Sequence, residues 1–229
     1  MNLRRLLFCP LVLLSFVMAS EADWLVNPDF ELGTSDVPHP QSPTNWTESF
    51  GLWARAVTNN QVFEGKIAPL AHNGNWMASL SPNFSDRFSY YSGVAQMITG
   101  VPAGATCVFS GYYLIQNDLP ASHWTTLEIE FYGGSSGGVF GPQLRTTQTN
   151  WTYFAVTNIA PSGVVAMKVY PYYADQDGVT NSYSDGFNVF WDSMSVSVET
   201  VPEPKTLTLL ALSSLILLPA VLRLARNRA

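Results

Sequence analysis

The sequence predicts an all-β protein, a β-sandwich flanked by an N-terminal signal peptide and a C-terminal transmembrane helix. Three observations predict the sandwich. Residues 23–199 carry no helical periodicity; short β-branched and aromatic runs alternate with Gly, Pro, Asn and Ser clusters, the sequence form of a sandwich. Within several runs apolar and polar residues alternate with period two, which gives each strand a dry face and a wet face. A stretch of about 175 residues is also ample for eight to ten such strands around one core.

The strands follow in order. The clearest are 75–80 (NWMASL), 93–98, 105–116, 125–133, 151–159, 163–173 and 187–198, with weaker candidates at 24–27 and 52–57. In 125–133 the dry face takes Leu127, Ile129 and Phe131, and Glu128 and Glu130 point the other way. In 163–173 Val165, Met167 and Val169 turn inward and Lys168 outward. In the last strand Met194, Val196 and Val198 face the core while Ser193, Ser195 and Ser197 face water. Pro102 and Gly104 punctuate a turn, and GGSSGGVFG (133–141) reads as a flexible loop.

Length and charge bound the function. The chain has 229 residues and a formal net charge of −6, enough for one domain plus end segments. Six of the eleven basic residues lie in those ends: Arg4, Arg5, Lys205, Arg223, Arg226 and Arg228. The middle is therefore strongly acidic, and nucleic acid is excluded as a partner because phosphate binding needs a cationic footprint. Cys9 lies in the leader, so Cys107 stands alone in an apolar strand. It reads as a buried, inert thiol.

Residues 1–22 have the form of a secretory signal peptide. Arg4 and Arg5 precede the apolar run Leu6–Val17, and Ala19, Ser20 and Ala22 offer small residues for cleavage after Ala19 or Ala22.

Few constellations look chemical. Gly134–Gly138 matches the G-x-S-x-G of serine hydrolases, but His39, His72 and His123 all precede it and no helix follows. Those histidines share no metal-ligand spacing. Glu128 and Glu130, about 7 Å apart by strand geometry, read as a solvated outer face rather than a glycosidase pair. DQDGVTNSYSD (175–185) is oxygen-rich yet lacks EF-hand spacing, and reads as a turn. The aromatic content points further: seven Trp and ten Tyr suit stacking on sugar rings. Trp46, Trp53, Trp124, Tyr172 and Tyr173, in or beside loops, are the candidate ligand-binding residues, whereas Trp151 and Trp191 read as core.

LVNPDFELG (25–33) resembles the N-terminal signature of the galactose-binding-like jelly-roll family, which includes carbohydrate-binding modules. Trp46, GVAQMI, VPAGATCVFSGYYL, WTYFAVT and FWDSMSV follow in the order that family shows, although Pro28-Asp29 replaces its second glycine. The resemblance implies one structural calcium ion held by Glu31 and Asp192, stapling the first and last strands with hard oxygen ligands.

The C-terminus resembles the PEP-CTERM sorting signal of exported bacterial proteins. Val201-Pro202-Glu203-Pro204 (within a linker at 200–205) is followed by an uncharged span, 206–222, and by a basic tail, 223–229, with Arg223, Arg226 and Arg228. Seventeen helical residues reach about 25 Å, and the arginines would hold the C-terminus in the cytoplasm. The resemblance implies processing by exosortase, an integral-membrane cysteine transpeptidase.

These readings combine into an exported, non-enzymatic surface or matrix protein whose sandwich (23–199) associates with exopolysaccharide. The alternatives are a structural spacer without glycan specificity and, third, a glycan-active hydrolase.

Overall fold

The computed structural model describes residues 24–34, 43–50, 54–63, 66–80, 91–134, 137–175 and 189–200. The signal peptide, the sorting motif, the apolar span and the basic tail lie outside these residues, as do Trp53, His39 and most of 175–185. Among the described residues no helix is long and apolar enough to cross a membrane.

Among the described residues twelve strands follow in chain order: β1 (Thr47–Phe50), β2 (Ala54–Thr58), β3 (Val62–Phe63), β4 (Lys66–Ile67), β5 (Trp76–Leu80), β6 (Tyr91–Thr99), β7 (Thr106–Ile115), β8 (His123–Tyr132), β9 (Gly137–Phe140), β10 (Thr152–Ile159), β11 (Ala166–Asp175) and β12 (Val189–Glu199). They build two antiparallel five-stranded sheets, β1-β6-β11-β8-β9 and β10-β7-β12-β5-β2, plus the small β3-β4 hairpin. The expected β-sandwich is present.

Period two decides what each sheet buries. Leu127, Ile129 and Phe131 of β8, Met167, Val169 and Tyr173 of β11, and Val94 and Ile98 of β6 face Phe109, Tyr113, Ile115, Trp191, Met194 and Val196 of the opposite sheet. Cys107 is buried with them, and burial pushes its thiol up to about 11, which keeps it protonated and inert as expected. A second cluster, Val57, Met77, Leu114 and Phe190, lies under Ala68 of the segment after β4, with Trp151 half-buried beside it.

Three strand expectations need correction. The segment 24–27 is irregular, with Asn27 and Phe30 at positive φ. Val165 is 71% exposed, because β11 begins one residue later and the preceding turn carries Val165 out of the pleat. The glycine-rich stretch 133–141 contains β9, paired antiparallel to β8 from Glu128↔Phe140 to Phe131↔Gly137.

Candidate functional site

Strands β8 and β11 are in register from Trp124↔Ala174 through Thr126↔Tyr172 and Glu128↔Tyr170 to Glu130↔Lys168. Since their alternate residues fill the core, these eight belong to the outer face of the first sheet. There Trp124, Tyr170, Tyr172, Ala174 and Ala95 of β6 form a separate apolar cluster. The rings of Trp124 and Tyr172 lie 5.3 Å apart, Phe140 of β9 stands 5.7 Å from Tyr172 and 6.4 Å from Trp124, and Tyr170 is 6.1 Å from Tyr172. These are offset and edge-on separations, the favoured arrangements for aromatic pairs. Trp124 is only 7% exposed, whereas Phe140 at the rim is 50% exposed.

A carboxylate continues this surface. Glu128 is 3% exposed, which corrects the expected solvated face: β9 lies alongside it, and a Cβ on Gly138 would overlap its Oε1. Burial pushes its carboxyl up to about 7, and Glu130 adds to the rise; a hydrogen bond with Tyr170 and the charge of Lys168 oppose it. The Lys168 ammonium stands 5.1 Å from the centre of the Tyr170 ring, within cation–π range. The Tyr132 hydroxyl donates to Glu130 Oε2 at 2.8 Å, and burial together with that partner lifts its phenol to about 12. Two buried atoms on this face have no hydrogen-bond partner: Trp124 Nε1, a donor, and Glu128 Oε2, an acceptor. Four residues of strand separate them, about 13 Å. An unpaired buried polar atom costs about 1–3 kcal/mol; both atoms are closed off from solvent, and Phe140 supplies exposed ring surface at the rim.

The five aromatic residues expected to bind ligand divide accordingly. Trp124 and Tyr172 share the outer face. Tyr173 does not, because neighbours in a strand point to opposite faces; its hydroxyl lies 3.0 Å from His123 Nδ1 inside the core. Trp46 is also core, packed on Phe30 at 5.1 Å with its Nε1 donating to the Asn27 carbonyl at 3.0 Å. Trp53 lies outside the described residues. Sequence reasoning missed Tyr170 and Phe140 as members of the cluster. The i, i+2 spacing of Tyr170 and Tyr172 was the available signal, whereas Phe140 was hidden in the assumed loop.

Glu31 and Asp192 grip one turn from two sides. Glu31 Oε1 accepts the Asn75 and Trp76 amides at 2.8 and 2.7 Å. Asp192 Oδ2 accepts the Asn73 amide at 3.0 Å, and its Oδ1 the Ser193 amide at 2.6 Å. Ser193 adopts φ 49° in the irregularity where β12 shifts register against β7, and the Met194 amide there donates to the Pro28 carbonyl at 3.0 Å. The N-terminal segment, the 72–76 turn and β12 are thereby tied together. Asp192 is fully buried, and its carboxyl is pushed up to about 7 by that burial, with Asp29 adding to the rise and the amide donors opposing it. Hard oxygens and a buried acid beside a second one fit calcium in ligand type. Among the described residues no group of three His, Cys, Asp or Glu side chains could hold a metal ion, so carbonyl oxygens or water would have to complete the set.

Among the described residues no helix follows the Gly134–Gly138 match. Gly137 and Gly138 continue into strand β9 rather than a helix. His72, in the turn before β5, stacks at 3.7 Å on Tyr112 of the second sheet, whereas His123 is buried in β8 of the first.

Comparison with known proteins places the fold. No protein-family model matches the chain, and no curated protein matches it in sequence. Among solved structures, the N-terminal CBM22-1–CBM22-2 tandem domain of Paenibacillus barcinonensis Xyn10C aligns with a TM-score of 0.53 at 14% identity, covering 79% of this chain and 50% of that one. The C-terminal family 22 carbohydrate binding module of Clostridium thermocellum Xyn10B aligns at 0.49 and 19% identity, over 79% of this chain and 97% of its own. TmCBM61, solved with β-1,4-galactotriose, aligns at 0.48 and 17%, over 78% and 99%. At such identities the likeness defines a class, a β-sandwich with the fold of the tandem CBM22 domain, and no more.

Proposed function

We propose that the chain is an exported, non-catalytic surface or matrix protein whose sandwich binds polysaccharide across the outer face of β8 and β11. The observation that carries this reading is the ring cluster on that face, Trp124 and Tyr172 with the half-exposed Phe140 at their rim. A sugar chain presents C–H faces that stack on such rings. The non-catalytic part is supported by carboxylate placement. Glycoside hydrolysis needs two carboxyl groups flanking the bond, and Glu128, 3% exposed beside β9, is closed off from a bound sugar.

The remaining parts of the proposal rest on sequence. Export would use residues 1–22. The C-terminal signal would hold the chain in the inner membrane, C-terminus cytoplasmic, until exosortase processes it and releases the domain to the cell surface. One structural calcium ion would add to the Glu31 and Asp192 staple.

The experiment is retention of the chain on a panel of immobilised polysaccharides, with Phe140→Ala as the variant, since its half-exposed ring can be removed without opening the core. Retention that weakens in F140A is expected. No retention on any polysaccharide favours the spacer reading, and release of reducing ends would revive the hydrolase.

A further inference from the structure

The second sheet ends on β10, which pairs with β7 without interruption from Thr152↔Tyr113 to Ile159↔Thr106. Among the described residues no strand pairs with its other edge. An open edge is a row of amide and carbonyl groups ready for another strand, and folds guard it by short length, charge, proline or a bulge. The other sheet edges here are guarded. Strand β1 has four residues, includes Glu48 and shifts register between Glu48 and Phe50. Strand β9 has four residues, two of them glycine, and β2 has five residues including Arg55. Strand β10 reads TYFAVTNI, eight residues with no charge, proline or register shift. Its outer face shows Tyr153, Ala155, Thr157 and Ile159, with Tyr153 57% and Ile159 63% exposed.

We infer that β10 is a self-association edge through which two copies of the chain pair antiparallel, joining their second sheets into one continuous sheet. The occupant is a second copy because the strand complements itself. About a two-fold axis normal to the sheet, outer faces stay on one side only when paired residue numbers sum to an even number. Centring the axis on Val156 sets Tyr153 against Ile159, Ala155 against Thr157 and Phe154 against Asn158. The two most exposed apolar side chains of the strand then meet twice. Lack of charge matters in a chain of net charge −6, since acids on this edge would face their own copies and repel them.

Sedimentation velocity tests the inference on the full chain over a concentration series, in a fixed non-ionic detergent. The variants are A155K/T157K and A155E/T157E, at exposed positions that face each other across the axis, with circular dichroism to check folding. The wild type is expected to dimerise, and each double variant to raise the dimer Kd by about tenfold or more through like charges placed opposite each other. An equimolar mixture of the two variants is expected to recover a heterodimer, which only folded chains can form. A wild type that stays monomeric at every concentration overturns the inference. So does a dimer indifferent to both variants, the behaviour of association through the apolar ends.

Discussion

Tyr172 and Tyr173 are chain neighbours that serve opposite sides of one sheet. Tyr172 packs its ring 5.3 Å from Trp124 on the outer face, while Tyr173 reaches inward to His123 Nδ1 at 3.0 Å. Beside it a polar thread joins the two layers: Trp191 Nε1 donates to Thr125 Oγ1 at 3.0 Å, and Thr125 Oγ1 donates to the Tyr172 carbonyl at 2.7 Å. One dipeptide thus carries two separable jobs, bracing the core and presenting the outer aromatic cluster.

Substitution should separate those jobs. Tyr173→Phe keeps the ring and removes one buried hydroxyl bond, so a loss of about 1–2 kcal/mol is expected by denaturant titration, with polysaccharide retention unchanged. Tyr172→Ala dismantles the outer cluster and should abolish retention while the chain remains folded. Equal loss of retention in both variants would contradict the division of faces.

Glu128 should make stability fall as pH rises. Its folded value of about 7 stands above the 4.5 of an unperturbed glutamate. Below about pH 4.5 both states are protonated; between 4.5 and 7 only the folded state keeps the proton, so stability declines across that window and the loss is complete above it. At about 1.4 kcal/mol per unit, the contribution is at most about 3 kcal/mol. Asp192 titrates in the same range, so the test is the difference between wild type and Glu128→Gln. Thermal midpoints from pH 4 to 8 should converge at the acid end, with E128Q ahead at pH 8. A difference that does not vary with pH would sink the assignment.

The Glu31 and Asp192 staple predicts an ordering of damage. Asp192→Ala leaves two amides without their acceptor at a fully buried position and should cost about 3 kcal/mol or more. Glu31→Ala, at an exposed carboxylate, should cost less. If calcium joins the staple, chelation lowers the wild-type melting temperature and leaves D192A unchanged. A wild-type midpoint indifferent to both chelator and added calcium removes the metal and leaves the amide staple standing.

The sandwich was legible in sequence because alternation is a local signal: the apolar trio of β8 and that of β12 lie where period two places them. Four features were not legible, each for a physical reason. Strand β9 hides in GGSSGGVF because its glycines look like a loop, whereas Gly138 is there to make room for the Glu128 carboxyl. The burial of Glu128 follows from that same pairing, a contact with a strand the sequence did not announce. Trp46 looked like a loop aromatic because its burial against Phe30 depends on how the irregular segment 24–34 folds back, which no periodicity encodes. The pairing of Trp124 with Tyr172 crosses 48 residues and depends on strand register, which turn positions alone did not fix.

The C-terminal 29 residues carry the remaining prediction. Pro202 and Pro204 separate the last strand, which ends at Glu199, from the apolar run. Proline lacks the amide that a ladder or a helix interior needs, so neither element should extend through this point. On the proposed reading the apolar run with its terminal arginines would serve as a span read once and removed, and the mature protein should end near Pro202–Pro204. Mass spectrometry of the C-terminal peptide from surface-exposed protein decides this. A peptide ending in that window, with Arg223–Arg228 lost, is expected. Recovery of the intact arginine tail on the surface form would instead make the segment a permanent single-pass anchor. A chain with Glu203→Ala should accumulate unprocessed in the inner membrane if the Pro-Glu-Pro motif directs the cut, and equal processing of that variant would exclude the motif.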